Sequence, residues 1–386
     1  MPRVLITGGR APVAVDLARS FAAAGAYVVV ADSAPCFLAR ATRAAARAVR
    51  VPPPREEPRA FARAIREIAV RERIDRIVPT CEEVFYLGRF AAELRDVAEL
   101  FCADFPQLEQ LHDKGRFAAL ARGLGIGVPE TWRLTATTDL DAVPLRPEEL
   151  VLKPVFSRFA VHTLVRPTAE AARAIQPTAA RPWVAQRFVA GRELCSYAVA
   201  RAGRLTAHAL YAPAWRAGRG SGFYFEPMHR PAIEAFTARL VAQLDYTGQI
   251  AFDFIEAPDG GIHVIECNPR ATSGLHLFAG SAALAAAFDP AAKAIARPAG
   301  ERAAMLGAAM ATIGGWQAFR HAQPRRWLAD AWRARDALWS WRDPAPAGFV
   351  FVGLAATLAL AARRGITPQA ASTRDIEWDG EPIPER

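Results

Sequence analysis

Four polar side chains crowd one short stretch of the chain, residues 250–278: Asp253, Glu266, Asn268 and Arg270. Residues 251–255 and 262–267 are apolar runs, and Pro258-Asp259-Gly260-Gly261 between them has turn chemistry, so the stretch reads as a β-hairpin. Glu266 and Asn268 are two residues apart and point to one face of an extended strand. Asp253 falls nearly opposite Glu266 once the turn is taken out. Three oxygen ligands therefore converge on one spot. Such a set suits Mg²⁺, which prefers oxygen, keeps waters, and is usually held by one or two carboxylates together with nucleotide phosphates. Arg270 adds a fixed cation for a phosphate or a developing negative charge. An ordinary surface hairpin can carry an Asp, a Glu and an Asn as well, so the weight of this reading rests on the rest of the chain.

Two lysines add to it. Of the 48 basic residues only Lys114, Lys153 and Lys293 are lysine, which leaves 45 arginines. A lysine kept against that bias fits a position that needs a compact ammonium on a flexible stem, such as a nucleotide phosphate. Lys153 is the one charge in the apolar run LVLKPV, where a buried ammonium needs an anionic partner. Lys114 follows Asp113 in a segment, residues 111–125, that reads as one helix. Lys293, in the Ala-rich AAKAIAR, carries no such signal.

The elements that would position these residues follow in order. Residues 3–7, 13–24 and 27–31 form a strand, a helix and a strand of the Rossmann kind, but GGRAPVA between the first two departs from GxGxxG and does not establish a dinucleotide site. Residues 61–71 read as a helix and 74–78 as a strand. Glu82 and Glu83 fall at that strand's carboxyl end, where open α/β sheets bind ligands; both also suit the start of a helix over 84–94. Strands are expected at 150–155, 183–189, 194–200 and 205–211. The polar, glycine-bearing stretch 216–231 then reads as a loop over a site, and 233–244 as a helix.

In this order the residues resemble the ATP-grasp superfamily, in particular the carboxylate-amine ligases related to biotin carboxylase and the carbamoyl phosphate synthetase large subunit. Asp113-Lys114 resembles the first nucleotide lysine of that family and Lys153-Pro154 the second. Gln186, Arg187, Phe188 and Val189 resemble the hinge that reads adenine through backbone groups, and Gly191-Arg192-Glu193 the Gly-x-Glu whose carboxylate takes the ribose hydroxyls. Asp253, Glu266 and Asn268 fall on its magnesium ligands, and Asn268-Pro269-Arg270 on its NPR signature. The family's glycine-rich phosphate loop is missing: Val155-Phe156-Ser157-Arg158-Phe159-Ala160 stands in its place, and Arg158 is the expected substitute clamp.

The resemblance implies an α/β and α+β protein with the ATP-grasp fold, divided into a Rossmann-like pre-ATP-grasp domain (1–105), an ATP-grasp domain (106–300) and a C-terminal helical or mixed extension (301–386). It implies an enzyme that uses ATP and two Mg²⁺ ions, with Mn²⁺ as a substitute, to turn a small-molecule carboxylate into an acyl phosphate and join it to an amine. Lys153 and Arg270 would be the catalytic cations, since phosphoryl transfer needs positioning and charge neutralisation more than covalent help. The substrate pocket is less legible; Glu82, Arg216, Arg219, Glu226 and His276 are its candidates, His276 as a general base. Competing readings are a bicarbonate-activating carboxylase or carbamoyl-phosphate-forming enzyme, a nucleotide-binding regulator without catalysis, and a nicotinamide oxidoreductase resting on the first βαβ unit alone.

Composition narrows the field. A net charge of +9 is spread along the chain rather than gathered in a patch, which argues against nucleic acid. Five scattered cysteines without a CxxC pair, and an N-terminus that opens as a strand, point to a reducing cytoplasm. Residues 316–342 hold five tryptophans among arginines, a pattern compatible with peripheral membrane contact through 316–362. The apolar run 347–362 falls short of a bilayer span and is expected to be a buried helix, with no transmembrane segment and with room for a homodimer interface. The closing DIEWDGEPIP reads as an ordered tail docked on the body.

Overall fold

Apolar residues on both faces of residues 3–6 and 27–32 require a sheet covered on both sides, and the chain builds one. The computed structural model describes residues 1–158, 162–216 and 222–384. Five parallel strands lie in the order Arg47–Arg50, Tyr27–Asp32, Arg3–Ile6, Arg76–Val78, Glu99–Leu100. Helices Pro12–Ala23 and Pro58–Arg71 cover them, each opening on a proline in its first turn, where a missing N–H costs nothing. A seven-stranded sheet follows, in the order Ile262–Asn268, Gly248–Glu256, Arg192–Arg201, Arg204–Arg216, Gly222–Met228, Ala304–Met305, Arg335–Asp336. A four-stranded sheet, Thr131–Leu134, Trp183–Arg187, Leu150–Pro154, Leu164–Val165, stands apart from it.

Several expectations need correction. The single helix over 111–125 is two, Phe105–His112 and Lys114–Ala121. Asp113 between them leaves the helical region and its carboxylate accepts from the backbone N–H of Gly115 and Arg116, so it caps the second helix and turns Lys114 inward. The helix over 84–94 is likewise broken at Phe90, into Glu83–Arg89 and Ala91–Arg95. Most of the loop expected over 216–231 is the strand Gly222–Met228, paired antiparallel with 210–216. Burial of Phe223, Tyr224 and Phe225 outweighs the polar composition around them. Residues 217–221 lie outside the described residues.

The C-terminal region is continuous with the rest, because strands Ala304–Met305 and Arg335–Asp336 extend the seven-stranded sheet. The expected buried helix spans Ala345–Arg364, twenty residues rather than sixteen, and only Pro346 and Ala361 in it are buried. Its length and mean hydropathy of 1.9 would suffice to cross a membrane. Apolar length alone did not distinguish a core helix from one that rests on the body by a single face.

The tail docks as expected. Arg10 bridges Asp32 and Asp375 at 2.6 Å each, and Arg55 reaches Glu377, Asp379 and Glu381 at 2.9, 3.0 and 3.0 Å. Arg10 is thereby committed to the tail. Trp378 is 2% exposed and lies among Phe85, Phe105 and Phe156, with ring centroids 5.0, 5.3 and 4.9 Å away. Gly380 must be glycine: its φ is +92°, and a Cβ there would fall 2.3 Å from the Phe156 ring. Trp378→Ala should lower the unfolding free energy by about 3–5 kcal/mol, as truncation of a buried aromatic does. Urea denaturation reads this, and a loss below about 1 kcal/mol would make the tail a passive cover.

Candidate active site

The hairpin Gly248–Glu256/Ile262–Asn268 pairs Asp253 directly with Glu266 and Ala251 with Asn268, and its register shifts just after Asp253. Regular pairing up to that shift puts Asp253, Glu266 and Asn268 on one face, towards the cleft. The Asn268 amide donates to Asp253 Oδ2 at 3.2 Å, and Asn268 Oδ1 accepts from Arg270 at 3.2 Å. Burial, then the charges of Glu266 and Glu193, push the Asp253 carboxyl up to about 7. Acids crowded in this way are stabilised by a cation between them. Among the described residues no three His, Cys, Asp or Glu side chains form a self-contained metal cage. Two carboxylates and an amide instead make an open set, the kind Mg²⁺ completes with phosphate and water oxygens.

The lysines stand against these acids. Lys153 reaches the hairpin from strand Leu150–Pro154 and donates to the Ile265 carbonyl at 3.3 Å. Burial lowers its pKa to about 8, against the pull of Glu266. Lys114, 3% exposed behind the cleft wall, lies 3.9 Å from Glu266 Oε2 and donates to the Val155 and Ser157 carbonyls at 3.3 and 3.1 Å. It thus holds the segment that replaces a glycine-rich loop. Phe156 of that segment packs on Trp378, and Arg158 Nε lies 3.1 Å from Glu82 Oε1.

The cleft, of about 600 Å³, is lined at one end by Lys153, Asp253, Glu266, Asn268 and Arg270 and at the other by Gln186, Arg187, Phe188, Val189 and Glu193. The hinge N–H groups of Arg187 and Phe188 already donate to the Glu130 and Glu149 carbonyls at 2.8 Å. The Val189 N–H has no hydrogen bond among the described residues. Gln186 donates to Thr131 Oγ1 at 3.1 Å, and Arg187 lies 2.5 Å from Glu130. Glu193 is paired with Arg216 at 2.8 Å, so Arg216 also reaches the cleft.

The remaining candidates are scattered. Glu82 is buried below the cleft, with Arg158 on one side and Arg270 at 3.6 Å on the other, and so orients two arginines rather than facing a ligand. Glu226 lies away from the cleft, paired with Arg192 at 2.9 Å. Arg219 lies outside the described residues. His276 lines the cleft but is nearly enclosed, its Nδ1 2.9 Å from Asp16 Oδ2. Although burial alone would raise it, His276, Arg335 and Arg19 hold the Asp16 carboxyl below its usual range. Sequence reasoning missed Asp16, 260 residues from His276, and the contact of Trp378 with Phe156. Only the tail's mixture of Trp and Ile with acids hinted at the second.

The fold is that of the ATP-grasp proteins, with the hairpin Gly248–Glu256/Ile262–Asn268 of one sheet and the strand Trp183–Arg187 of another lining one cleft. Neither a protein-family model nor a curated protein sequence matches the chain. Among solved structures it resembles an L-amino acid ligase from Bacillus licheniformis, at 16% identity and a TM-score of 0.56 over 72% of this chain and 70% of that one. It also resembles an N5-carboxyaminoimidazole synthetase from Staphylococcus aureus, at 14% identity and a TM-score of 0.59 over 76% and 79%. A third neighbour is the biotin carboxylase domain of a 2-oxoglutarate carboxylase from Hydrogenobacter thermophilus, in complex with MgADP and bicarbonate, at 13% identity and a TM-score of 0.54 over 70% and 64%.

Asp253 has a folded pKa above its unfolded one, so the stability tied to it is full below the unfolded value and is lost as pH rises through about 7. Lys153, lowered to about 8, changes its contribution only above that pH, where stability recovers. In a chelating buffer Asp253→Asn should therefore melt higher than wild type at about pH 8, an advantage that fades towards about pH 4. An advantage that does not change with pH would contradict the assigned charge crowding.

Proposed function

We propose that the cleft binds MgATP, transfers the γ-phosphoryl group to a small-molecule carboxylate, and passes the resulting acyl group to an amine. The observation that carries this reading is the convergence of Lys114, Lys153 and Arg270 on the crowded acids Asp253 and Glu266 at one end of a cleft whose other end holds the Val189 N–H, without a hydrogen bond among the described residues. Asp253, Glu266 and Asn268 would hold two Mg²⁺ ions, or Mn²⁺ in their place. When bound, these ions neutralise phosphate charge and align the oxygens of an in-line displacement.

The protein's own groups have separate tasks. The Val189 N–H donates to the adenine edge, and Glu193, on leaving Arg216, accepts from the ribose hydroxyls. Lys153 binds the phosphate oxygens, Lys114 holds the loop carbonyls from behind the wall, and Arg158 closes over the phosphates from the loop. A substrate carboxylate oxygen attacks the γ-phosphorus as the bond to ADP breaks, and Arg270 stabilises the charge that gathers on the equatorial oxygens. The amine nitrogen then attacks the acyl carbon and phosphate leaves. The amine proton passes to a base, for which His276 is the candidate, its Nδ1 fixed by Asp16. Arg216, released from Glu193, is placed to pair with the substrate carboxylate.

A second reading puts bicarbonate in place of the organic acid; the Hydrogenobacter neighbour, held with MgADP and bicarbonate, favours it. The same reading of the chain assigns residues 1–105, 106–300 and 301–386 to a pre-ATP-grasp domain, an ATP-grasp domain and an extension. A cytoplasmic location fits the five cysteines, all unpaired.

ADP and phosphate release should appear with Mg²⁺, ATP, one acid and one amine from a panel of amino acids and small carboxylic acids. Glu266→Gln should reduce it by about 10²-fold or more. Release that needs bicarbonate alone would move the second reading ahead. Nucleotide binding without release across the panel would favour a regulator.

A further inference from the structure

The C-terminal region carries a large apolar surface that none of the described residues covers. On helix Ala345–Arg364, residues Gly348, Phe351, Val352, Ala355, Leu358, Ala359 and Ala362 are exposed and recur at helical spacing, forming one stripe that the exposed Leu354 borders. The opposite side holds the helix down. Ala347, Phe349 and Val350 pack on the core beneath the five-stranded sheet, and Gly353 lies against the Cys36 carbonyl. Before this helix, Trp316, Phe319, Leu328, Trp332 and Trp341 project outward, Phe319 at 86% exposure and Trp332 and Trp341 at 88%. The turn Gly307–Ala309 packs on the long helix, and Trp339 and Trp341 lead directly into it, so the aromatic and aliphatic surfaces are neighbours. Isolated exposed apolar residues are ordinary; a contiguous set of bulky ones is not.

The charges around this surface are mostly positive: Glu56, 3.9 Å from Arg364, and Asp330, 3.6 Å from Arg326, offset two of its arginines. Arg320, Arg325, Arg326, Arg333, Arg342, Arg363 and Arg364 are exposed, and the segment 307–364 has neither Lys nor Glu. Its acids are turned to other work. Asp343 is buried on Arg19 and Thr42, Asp330 accepts from the Trp215 indole at 2.8 Å, and Asp336 caps the Leu338 N–H. A second copy of the chain would set arginines against arginines across an isologous contact. A surface rich in negative charge and apolar just beneath it complements both features.

We propose that this face docks on the surface of an anionic lipid bilayer, with the tryptophans and the helix stripe in the headgroup boundary and the arginines on lipid phosphates. The helix is about 30 Å long at 1.5 Å per residue, but one of its faces is held by the body. It therefore lies in the plane of the interface rather than across the bilayer. Trp and Arg suit that depth because each has an apolar body and a polar end.

Co-sedimentation of the full chain with extruded phosphatidylcholine vesicles, with and without phosphatidylglycerol, tests this. At low salt, binding to the phosphatidylglycerol vesicles should be at least about tenfold stronger and should fall as salt rises. Phe351→Ser/Leu354→Ser/Leu358→Ser should abolish it, and Arg325→Gln/Arg333→Gln should weaken it several-fold. Both variants should keep the wild-type circular dichroism, melting temperature and ADP affinity, since these side chains are exposed and remote from the cleft. Equal binding to both vesicles, or binding that survives the triple substitution, would overturn the proposal. So would a chain that ignores vesicles, whether it sediments as a monomer or as a dimer that the triple substitution dissociates.

Discussion

Asp253 and Glu266 face each other across two paired strands, half-buried in the lining of the cleft. Burial first, and then the neighbouring charges of Glu266 and Glu193, push the Asp253 carboxyl up to about 7. The protein tolerates this cost because the hairpin is locked from below. Phe252, Phe254 and Val264 are buried in the core, and Phe252 packs on Phe117 and Phe236. The register cannot slip to relieve the acids without turning those side chains to water. The remainder of the site answers this one constraint: Lys153 and Lys114 approach from the acids' far sides, and Arg270 is tied to Asn268 within the same strand end.

Much of this was legible in the sequence, for a physical reason. Alternation, turn residues and the two-residue spacing of Glu266 and Asn268 are local properties, and local properties determine which side chains share a strand face. Lys114 and Lys153 stood out because the chain otherwise uses arginine, and both reach the hairpin. The break at Asp113 was missed because an Asp within a helical pattern does not reveal whether its carboxylate will cap a new turn. The strand Gly222–Met228 was hidden by polar neighbours, although its Phe-Tyr-Phe run is what a buried strand requires. Contacts between distant parts of the chain were beyond reach altogether. Asp16 with His276, Glu82 beneath Arg158 and Arg270, and Trp378 on Phe156 arise only once the sheets are assembled.

Those distant contacts explain how the chain dispenses with a glycine-rich loop. Backbone amides of such a loop would grip phosphate without help from elsewhere. Here the segment 155–158 is held instead by Lys114 on its carbonyls, by Glu82 on Arg158, and by the tail through Phe156. The C-terminal tail is thus mechanically joined to the end of the cleft that holds Lys153 and Arg158. The region before it, by contrast, presents apolar side chains and arginines to solvent, so the same extension has one half turned inward and the other outward.

Calorimetric titration of ADP into the full chain, with Mg²⁺ and then with a chelator, tests the central claim most directly. The account predicts Mg²⁺-dependent binding that an Asp253→Asn/Glu266→Gln chain loses while its fold persists. ADP binding that is indifferent both to Mg²⁺ and to those two substitutions, or no binding at all, would contradict it.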